Sequence, residues 1–230
     1  MQAVTGDNED SVTLYRWLLI LKNFNNNKPL PPDMVARFER YFQYFWKNNK
    51  NSAIQSEDDL ALMSELPVSI QSNIYKDFLF QDFLELFKVH FVFEKPSQMQ
   101  DKKGLTKYYD WEDTQFSSFM IKLLQALEPR NYIQGEYIFE EGDEVDEQIY
   151  VISRDLRKPM DSTGIYAVGF KHNQQKYFHV RLGPKTIIGG YENIFERPAE
   201  YTYKALMPVD AYGLRKRDLK PLLSEETEFK

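Results

Sequence analysis

The sequence predicts an α+β fold, with helices in the first part of the chain and a β-rich barrel or sandwich in the rest. Apolar residues recur at helical spacing up to about residue 91, whereas from Asn131 onward they fall in short runs separated by turn residues. Apolar residues make up 42% of the 230 residues and aromatics 15%, which is ample for a hydrophobic core. We therefore divide the chain into 1–92 and 93–230.

Composition and charge exclude several classes of function. A formal net charge of -6 does not match the basic surface of a nucleic-acid-binding protein, so we expect no nucleic-acid partner. The absence of cysteine excludes disulfides and thiolate metal sites. No signal-peptide pattern opens the chain, and no apolar run approaches the ~20 residues of a spanning helix. We expect a soluble fragment with no direct membrane insertion.

The first part of the chain is predicted to be a string of short helices with aromatic faces. Apolar spacing places them at 11–24, 33–46, 56–65, 67–80 and 81–91. Such short helices cannot easily bury so many aromatic side chains among themselves, and large exposed apolar faces usually meet a partner. We therefore interpret this part as an interaction layer. The candidate interface residues are Trp17, Leu18, Leu21, Phe38 and Phe42.

The second part is predicted to be mostly β-structure. A polar loop is expected at 94–109, followed by a helix at 111–127. Short β-rich runs then occur at 137–139, 148–152, 165–170, 177–182, 201–206 and 211–214, and a last helix is expected at 216–223. Many short strands with regular turn signals are typical of a barrel or sandwich.

Residues 187–206 have the layout of an anion site. This stretch runs strand, glycine turn, short helix, proline and strand. The backbone N–H groups at the start of a helix are able to face an anion. The glycine signal is weak by itself, so its meaning depends on the chain around it.

The β-rich part resembles a cyclic-nucleotide-binding domain, and 187–206 resembles the phosphate-binding cassette of that family. The matching stretches are 135–138 (GEYI), 141–143 (EGD), 149–152 (IYVI), 181–183 (RLG) and 189–205, which needs no gap. The resemblance implies a jelly-roll barrel, or β-roll, with flanking helices. It also implies that the family's lid helix is largely missing, since the sequence stops at Lys230.

The helical part is similar to the C-linker of cyclic-nucleotide-gated, hyperpolarisation-activated and ether-a-go-go-type channels. The supporting stretches are 30–34 (LPPDM), 40–46 (RYFQYFW) and 66–70 (LPVSI). The resemblance implies a homotetramer in which the first two helices rest on the next subunit. It further implies a parent cation channel whose pore domain is a partner, with this region on the cytoplasmic face of a membrane.

The resemblance also implies which residues would hold a nucleotide, and two of them are replaced. In ligand-binding members a Glu that holds the ribose follows the first glycine; here Gly190 follows Gly189. An Arg that neutralises the phosphate is expected ten residues after that glycine, followed by Thr or Ser; here Ala199 and Glu200 stand there. A carboxylate opposes an anion, so we expect a degenerate site and no cofactor, with cAMP and cGMP disfavoured. The candidate site residues are Gly189, Gly190, Tyr191, Arg197, Ala199, Glu200 and Thr202.

Two alternatives stay open at this point. Arg197 lies two residues before the expected arginine, and a working cAMP or cGMP receptor would use it together with the backbone of 189–191. The second alternative is a soluble signalling subunit of the kinase-regulator type.

Enzyme and metal functions have no residues to support them in the sequence. The acidic run 140–147 lacks the ligand order and the glycine of an EF-hand loop. His90, His172 and His179 are too scattered for a metal site. No nucleophile–base pair or paired carboxylates stand out, so we predict a protein that is not an enzyme.

Overall fold

A computed structural model describes residues 3–52, 54, 56–96, 105–152, 166–172 and 175–225. The α-helices are α1 (Ala3–Phe24), α2 (Pro32–Asn48), α3 (Glu57–Glu65), α4 (Val68–Asn73), α5 (Gln81–Phe87), α6 (Thr114–Gln125), α7 (Gly190–Phe195) and α8 (Lys216–Glu225). A π-helical segment, Ile74–Leu79, continues α4, and a 3-10 turn, Lys88–Phe91, continues α5. None of the helices among these residues combines the length and the hydrophobicity needed to cross a bilayer.

The strands form a hairpin and two four-stranded antiparallel sheets. They are β1 (Phe93–Pro96), β2 (Leu105–Tyr108), β3 (Leu127–Tyr132), β4 (Tyr137–Phe139), β5 (Glu147–Ile152), β6 (Tyr166–His172), β7 (Gln175–Leu182), β8 (Ile187–Ile188), β9 (Thr202–Ala205) and β10 (Val209–Arg215). The sheet orders are β3-β10-β5-β8 and β4-β9-β6-β7. The predicted α+β class, with a β-roll and flanking helices, is confirmed; below, "the roll" means these two sheets.

The ends of two predicted helices were wrong. Helix α1 begins at Ala3, not at 11, because a nucleated helix gains one hydrogen bond for each residue added, even beyond its apolar stripe. Helix α6 begins after Asp113, whose carboxylate accepts from the N–H of Phe116 (3.0 Å), and it ends at Gln125. The predicted helical end at 127 is therefore the start of β3. Pro129 is tolerated there because β3 lies at a sheet edge.

The loop predicted at 94–109 contains a hairpin. Strands β1 and β2 pair in antiparallel register, with Phe93 opposite Tyr108 and Pro96 opposite Leu105. The proline, the glycine and the charged residues of this stretch favour a loop by local propensity. The backbone hydrogen bonds of the pairing outweigh that preference. Residues 97–104 lie outside the described residues.

A large aromatic core joins the end of the helical part to the roll. Phe83 of α5 is 1% exposed, and its ring centroid lies 5.3 Å from that of Tyr150 and 5.6 Å from that of Tyr212. The same core includes Tyr75 and Phe87. The aromatic side chains of 75–91 are therefore buried against the roll and not among the first helices alone. The predicted boundary at residue 92 stays a prediction.

Helices α1 and α2 lie outside that core. Helix α2 packs along β3, and Trp17 of α1 stacks on Phe42 of α2 with centroids 6.2 Å apart. Arg37 and Arg40 each place Nη2 3.4 Å from the carboxylate of Glu136, in the turn between β3 and β4. The apolar face of α1 is otherwise largely exposed.

Four charged side chains form a network across β3, β5 and β10. Arg130 donates from Nε (3.0 Å) and Nη2 (2.7 Å) to Glu147 Oε2 and also reaches Glu128, which accepts from Arg215 at 2.7 Å. Burial alone would lower the pKa of Arg130, but Glu147 and Glu128 raise it on balance, so the guanidinium stays charged. Gly213 lies beneath this network: a Cβ there would be 2.6 Å from Glu147 Oε2.

We expect Gly213→Ala to lower the free energy of unfolding by about 1–3 kcal/mol, because the added methyl displaces the Glu147 carboxylate from Arg130. Urea unfolding followed by circular dichroism measures the change. In a Glu147→Ala background the same substitution should cost less, since the closest contact is gone. An equal cost in both backgrounds would contradict this explanation.

Candidate functional site

The cassette, residues 187–206, begins where β8 meets a glycine that no other residue can replace without strain. Gly189 has φ +74°, a conformation that side chains disfavour. A Cβ there would lie 2.8 Å from Val145 Cγ1 and 3.0 Å from the carbonyl oxygen of Glu147. The positive φ and the lack of room for a Cβ therefore both require glycine at the turn predicted from the sequence.

Helix α7 closes with a second left-handed residue. Glu196, at the helix C-cap, has φ +55°, and the next N–H, that of Arg197, donates to the carbonyl oxygen of Glu192 at 2.9 Å. Glycine or asparagine is common at such an end, so a glutamate here is unusual. The cap reverses the chain toward Pro198.

The return segment is held against the turn between β4 and β5. The N–H of Ala199 donates to Asp143 O and the N–H of Gly142 donates to Ala199 O, both at 2.8 Å. The Oγ1 of Thr202 accepts from the N–H of Glu141 at 3.1 Å. The 141–143 stretch matched in the sequence thus contacts the cassette through its backbone.

The side chains at 190 and 199 bring no positive charge to the cassette. Gly190 is the first residue of α7. Ala199 is 3% exposed and belongs to an apolar cluster with Val145 and Ile188, whereas the neighbouring Glu200 is exposed. A methyl group in an apolar cluster offers no donor to a phosphate.

Arg197 lies on the surface of the cassette. Its Cζ is 5.5 Å from the ring centroid of Tyr191, which is half exposed, and Tyr191 in turn packs on the ring of Phe195. This geometry is that of an exposed cation–π contact. The guanidinium would have to leave it to reach an anion at Ala199.

The interior of the cassette carries polar residues that the sequence analysis did not assign to the site. Glu192 is 7% exposed and Asn193 is 3% exposed. Asn193 Nδ2 has no hydrogen-bond partner among the described residues. Burial, together with Glu192, Tyr201 and Glu200, raises the pKa of Tyr203 to about 12. The sequence shows that α7 carries acidic residues, but it does not show which side chains are buried, because burial depends on how the helix packs against the rest of the chain.

Two cavities of about 540 and 580 Å³ lie elsewhere, between α2 and the first strands of the roll. They share Arg37, Arg40 and Glu136, and the first is also lined by Tyr41 and Arg130. None of their lining residues belongs to the cassette. In the described part of the chain no group of three or more His, Cys, Asp or Glu residues is arranged to hold a metal ion.

Comparison with known proteins gives partial likenesses to solved structures. No family model and no curated protein matches the chain. Cyclic-AMP-bound PfPKA-R (141-441) is 20% identical with a TM-score of 0.37, over 45% of this chain and 33% of that one. The sensor domain of the transcriptional regulator DNR from Pseudomonas aeruginosa is 16% identical with a TM-score of 0.40, over 49% of this chain and 70% of that one.

A further likeness is to the regulatory domain of Toxoplasma gondii PKA with cAMP. It is 19% identical with a TM-score of 0.37, over 46% of this chain and 38% of that one. The chain thus spans about a third of the length of PfPKA-R (141-441) and less than half of the Toxoplasma protein. At these values the likenesses carry no argument about function.

We expect Gly189→Ala to destabilise the chain more than Gly135→Ala does. Both glycines have positive φ, which costs about 1–2 kcal/mol for alanine, but a Cβ at Gly135 meets nothing within 4 Å. The contacts with Val145 and Glu147 should add roughly 1–3 kcal/mol at Gly189. Thermal or urea unfolding of the two variants measures the difference, and equal losses would contradict it.

Proposed function

We propose that the chain is the regulatory gating region of a tetrameric cation channel, with potassium the favoured ion. In this proposal 1–92 is the C-linker and 93–230 is a cyclic-nucleotide-binding-homology domain on the cytoplasmic face of the membrane. Its pocket binds cAMP and cGMP weakly or not at all. The proposal rests on the sequence resemblance to both parts in order, and on the geometry of the cassette.

The observation that carries the weak-binding part of the proposal is the position of Ala199. The cassette backbone is formed, with its glycine turn, short helix and return segment, but a buried methyl stands where the family has a guanidinium. Losing a charge-assisted partner of a bound phosphate typically costs ~2–5 kcal/mol. The exposed Arg197, stacked on Tyr191, does not fill that position.

The proposed mechanism is mechanical. The aromatic core connects α5 to β5 and β10, and the contacts of Arg37 and Arg40 with Glu136 connect α2 to the turn after β3. A displacement of the roll would therefore be passed to the helices that precede it. A ligand biases such a movement only by binding one conformation more tightly than the other. Since the pocket binds nucleotides weakly, the conformational equilibrium is shifted by voltage-driven motion, by another domain or by a segment of the chain itself that occupies the pocket.

We expect titration with fluorescent cAMP and cGMP analogues to give no saturable binding in the micromolar range. The reason is the missing cation at Ala199, with Glu192 and Glu200 nearby. Fluorescence anisotropy of the full chain measures it. Saturable micromolar binding would contradict the proposal and favour a working receptor that uses Arg197.

The double change Gly190→Glu, Ala199→Arg should supply the carboxylate for the ribose and the guanidinium for the phosphate that the cassette lacks. A Cβ at Gly190 comes to 3.2 Å from Ile187 Cγ2, a contact that a small shift relieves. We expect nucleotide affinity to rise by roughly tenfold or more over the unaltered chain in the same anisotropy assay. The control is Gly190→Glu, Ala199→Leu, which fills the same space without the charge. No gain would indicate a pocket that is blocked rather than stripped of its ligands.

We expect the chain to assemble as a tetramer through the exposed face of α1. Tyr15 and Phe24 are 70% and 82% exposed, so they can be changed without touching the contact of Trp17 with Phe42. Tyr15→Lys, Phe24→Lys should convert the tetramer to smaller species in light scattering, because burying lysine at an apolar interface is costly.

Phe78→Lys is the matched control for that experiment, since Phe78 is 79% exposed but lies on the π-helical segment. It should leave the assembly unchanged. A chain that stays monomeric at high concentration would contradict the channel proposal and favour a soluble subunit of the kinase-regulator type.

A further inference from the structure

The cassette and helix α8 are connected by a pair of ionic contacts centred on Glu196. Its Oε1 forms an ion pair with Lys220 Nζ and lies 3.8 Å from Lys216 Nζ. The two lysines are four residues apart, one helical turn, so they share one side of α8. The hydrogen bond from Lys220 and the charge of Lys216 lower the pKa of Glu196. One carboxylate thus faces two ammonium groups of another element.

The backbone at Glu196 gives a reason to attribute a role to this side chain. A residue with a Cβ pays a conformational cost at φ +55°, and glycine would end α7 without it. A glutamate therefore stands in a position that favours glycine. Its carboxylate forms ion pairs with Lys216 and Lys220 of another element, α8.

Helix α8 has a weak point directly after these contacts. Pro221 lies inside the helix and has no N–H to donate to the carbonyl oxygen of Arg217. The turn before it is held at its start by the N–H of Lys216, which donates to Asp146 O at 2.6 Å. Leu219 and Leu222 pack into the core. The position of this turn therefore depends on tertiary contacts more than on helical hydrogen bonds.

We propose that Glu196, Lys216 and Lys220 form an electrostatic clasp that holds the first turn of α8 against the cassette. Both sides of the clasp belong to the chain, so its closure requires no bound ligand. Salt weakens it, since its members are partly exposed and screened by ions. The clasp connects the end of α7 to the first turn of α8, and it forms whether or not the cassette binds a nucleotide.

Hydrogen exchange of the full chain, followed by mass spectrometry, tests the clasp. Glu196→Lys and Lys220→Glu should each speed exchange in α8 roughly two- to fivefold, the range for an exposed ion pair. The swap that combines both changes should return exchange toward the original rate. High salt should speed α8 exchange in the original chain but not in Glu196→Lys.

Arg217→Glu is the matched control on the same helix. Arg217 is exposed and lies 3.7 Å from its neighbour Asp218. The proposal expects little change in that variant, and unchanged exchange in α6. It is overturned if the single changes leave α8 exchange unaltered, if the swap fails to restore it, or if Arg217→Glu or α6 shows the same acceleration.

Glu196→Gly separates the clasp from a simple cap. Glycine relieves the strain of the left-handed conformation at 196. If Glu196 only ended α7, this change would stabilise the end of α7 and leave hydrogen exchange in α8 as slow as before. The clasp predicts the opposite, a loss of α8 protection comparable to that of Glu196→Lys. Unchanged or slower exchange in Glu196→Gly would overturn the proposal.

Discussion

The packing of α5 against the roll is the contact on which the rest of the structure depends. Phe83 and Phe87 meet Tyr150 and Tyr212, one from each of the two central strands β5 and β10. Aromatic side chains bury large areas and interlock edge to face, so this cluster is a major source of stability. It joins 75–91 directly to β5 and β10.

Two sets of ion pairs hold other parts of the structure together, one across the strands and one between α2 and the roll. Arg130 and its partners satisfy one another across three strands, while Glu136 reaches outward to Arg37 and Arg40. In the first set Arg130 is buried and its partners are half-buried, and a Cβ at Gly213 would collide with the Glu147 carboxylate. The second set is partly exposed and connects α2 to the roll through contacts that salt weakens. The aromatic core thus fixes the position of α5, whereas α2 packs along β3 and contacts the roll through partly exposed ion pairs.

The backbone path of the cassette is set separately from the side chain at 199. Its two left-handed residues, Gly189 and Glu196, and its hydrogen bonds to the turn at Asp143 set the path of the chain. Those features are independent of the side chain at 199. The cassette also contacts α8, through the ion pairs of Glu196.

The sequence by itself determined the class of fold, most of the strands and the layout of the cassette as strand, glycine turn, short helix and strand. Periodicity and turn residues are local signals, and the glycines at 189 and 190 mark a turn without any knowledge of distant contacts. The sequence did not determine the hairpin at Phe93–Pro96, the strand that starts at Leu127 or the burial of Tyr75 and Phe83. Strand pairing and burial depend on residues far apart in the chain, so only the tertiary structure decided them. The same holds for Glu196, whose partners lie on α8 and become neighbours only when the roll is closed.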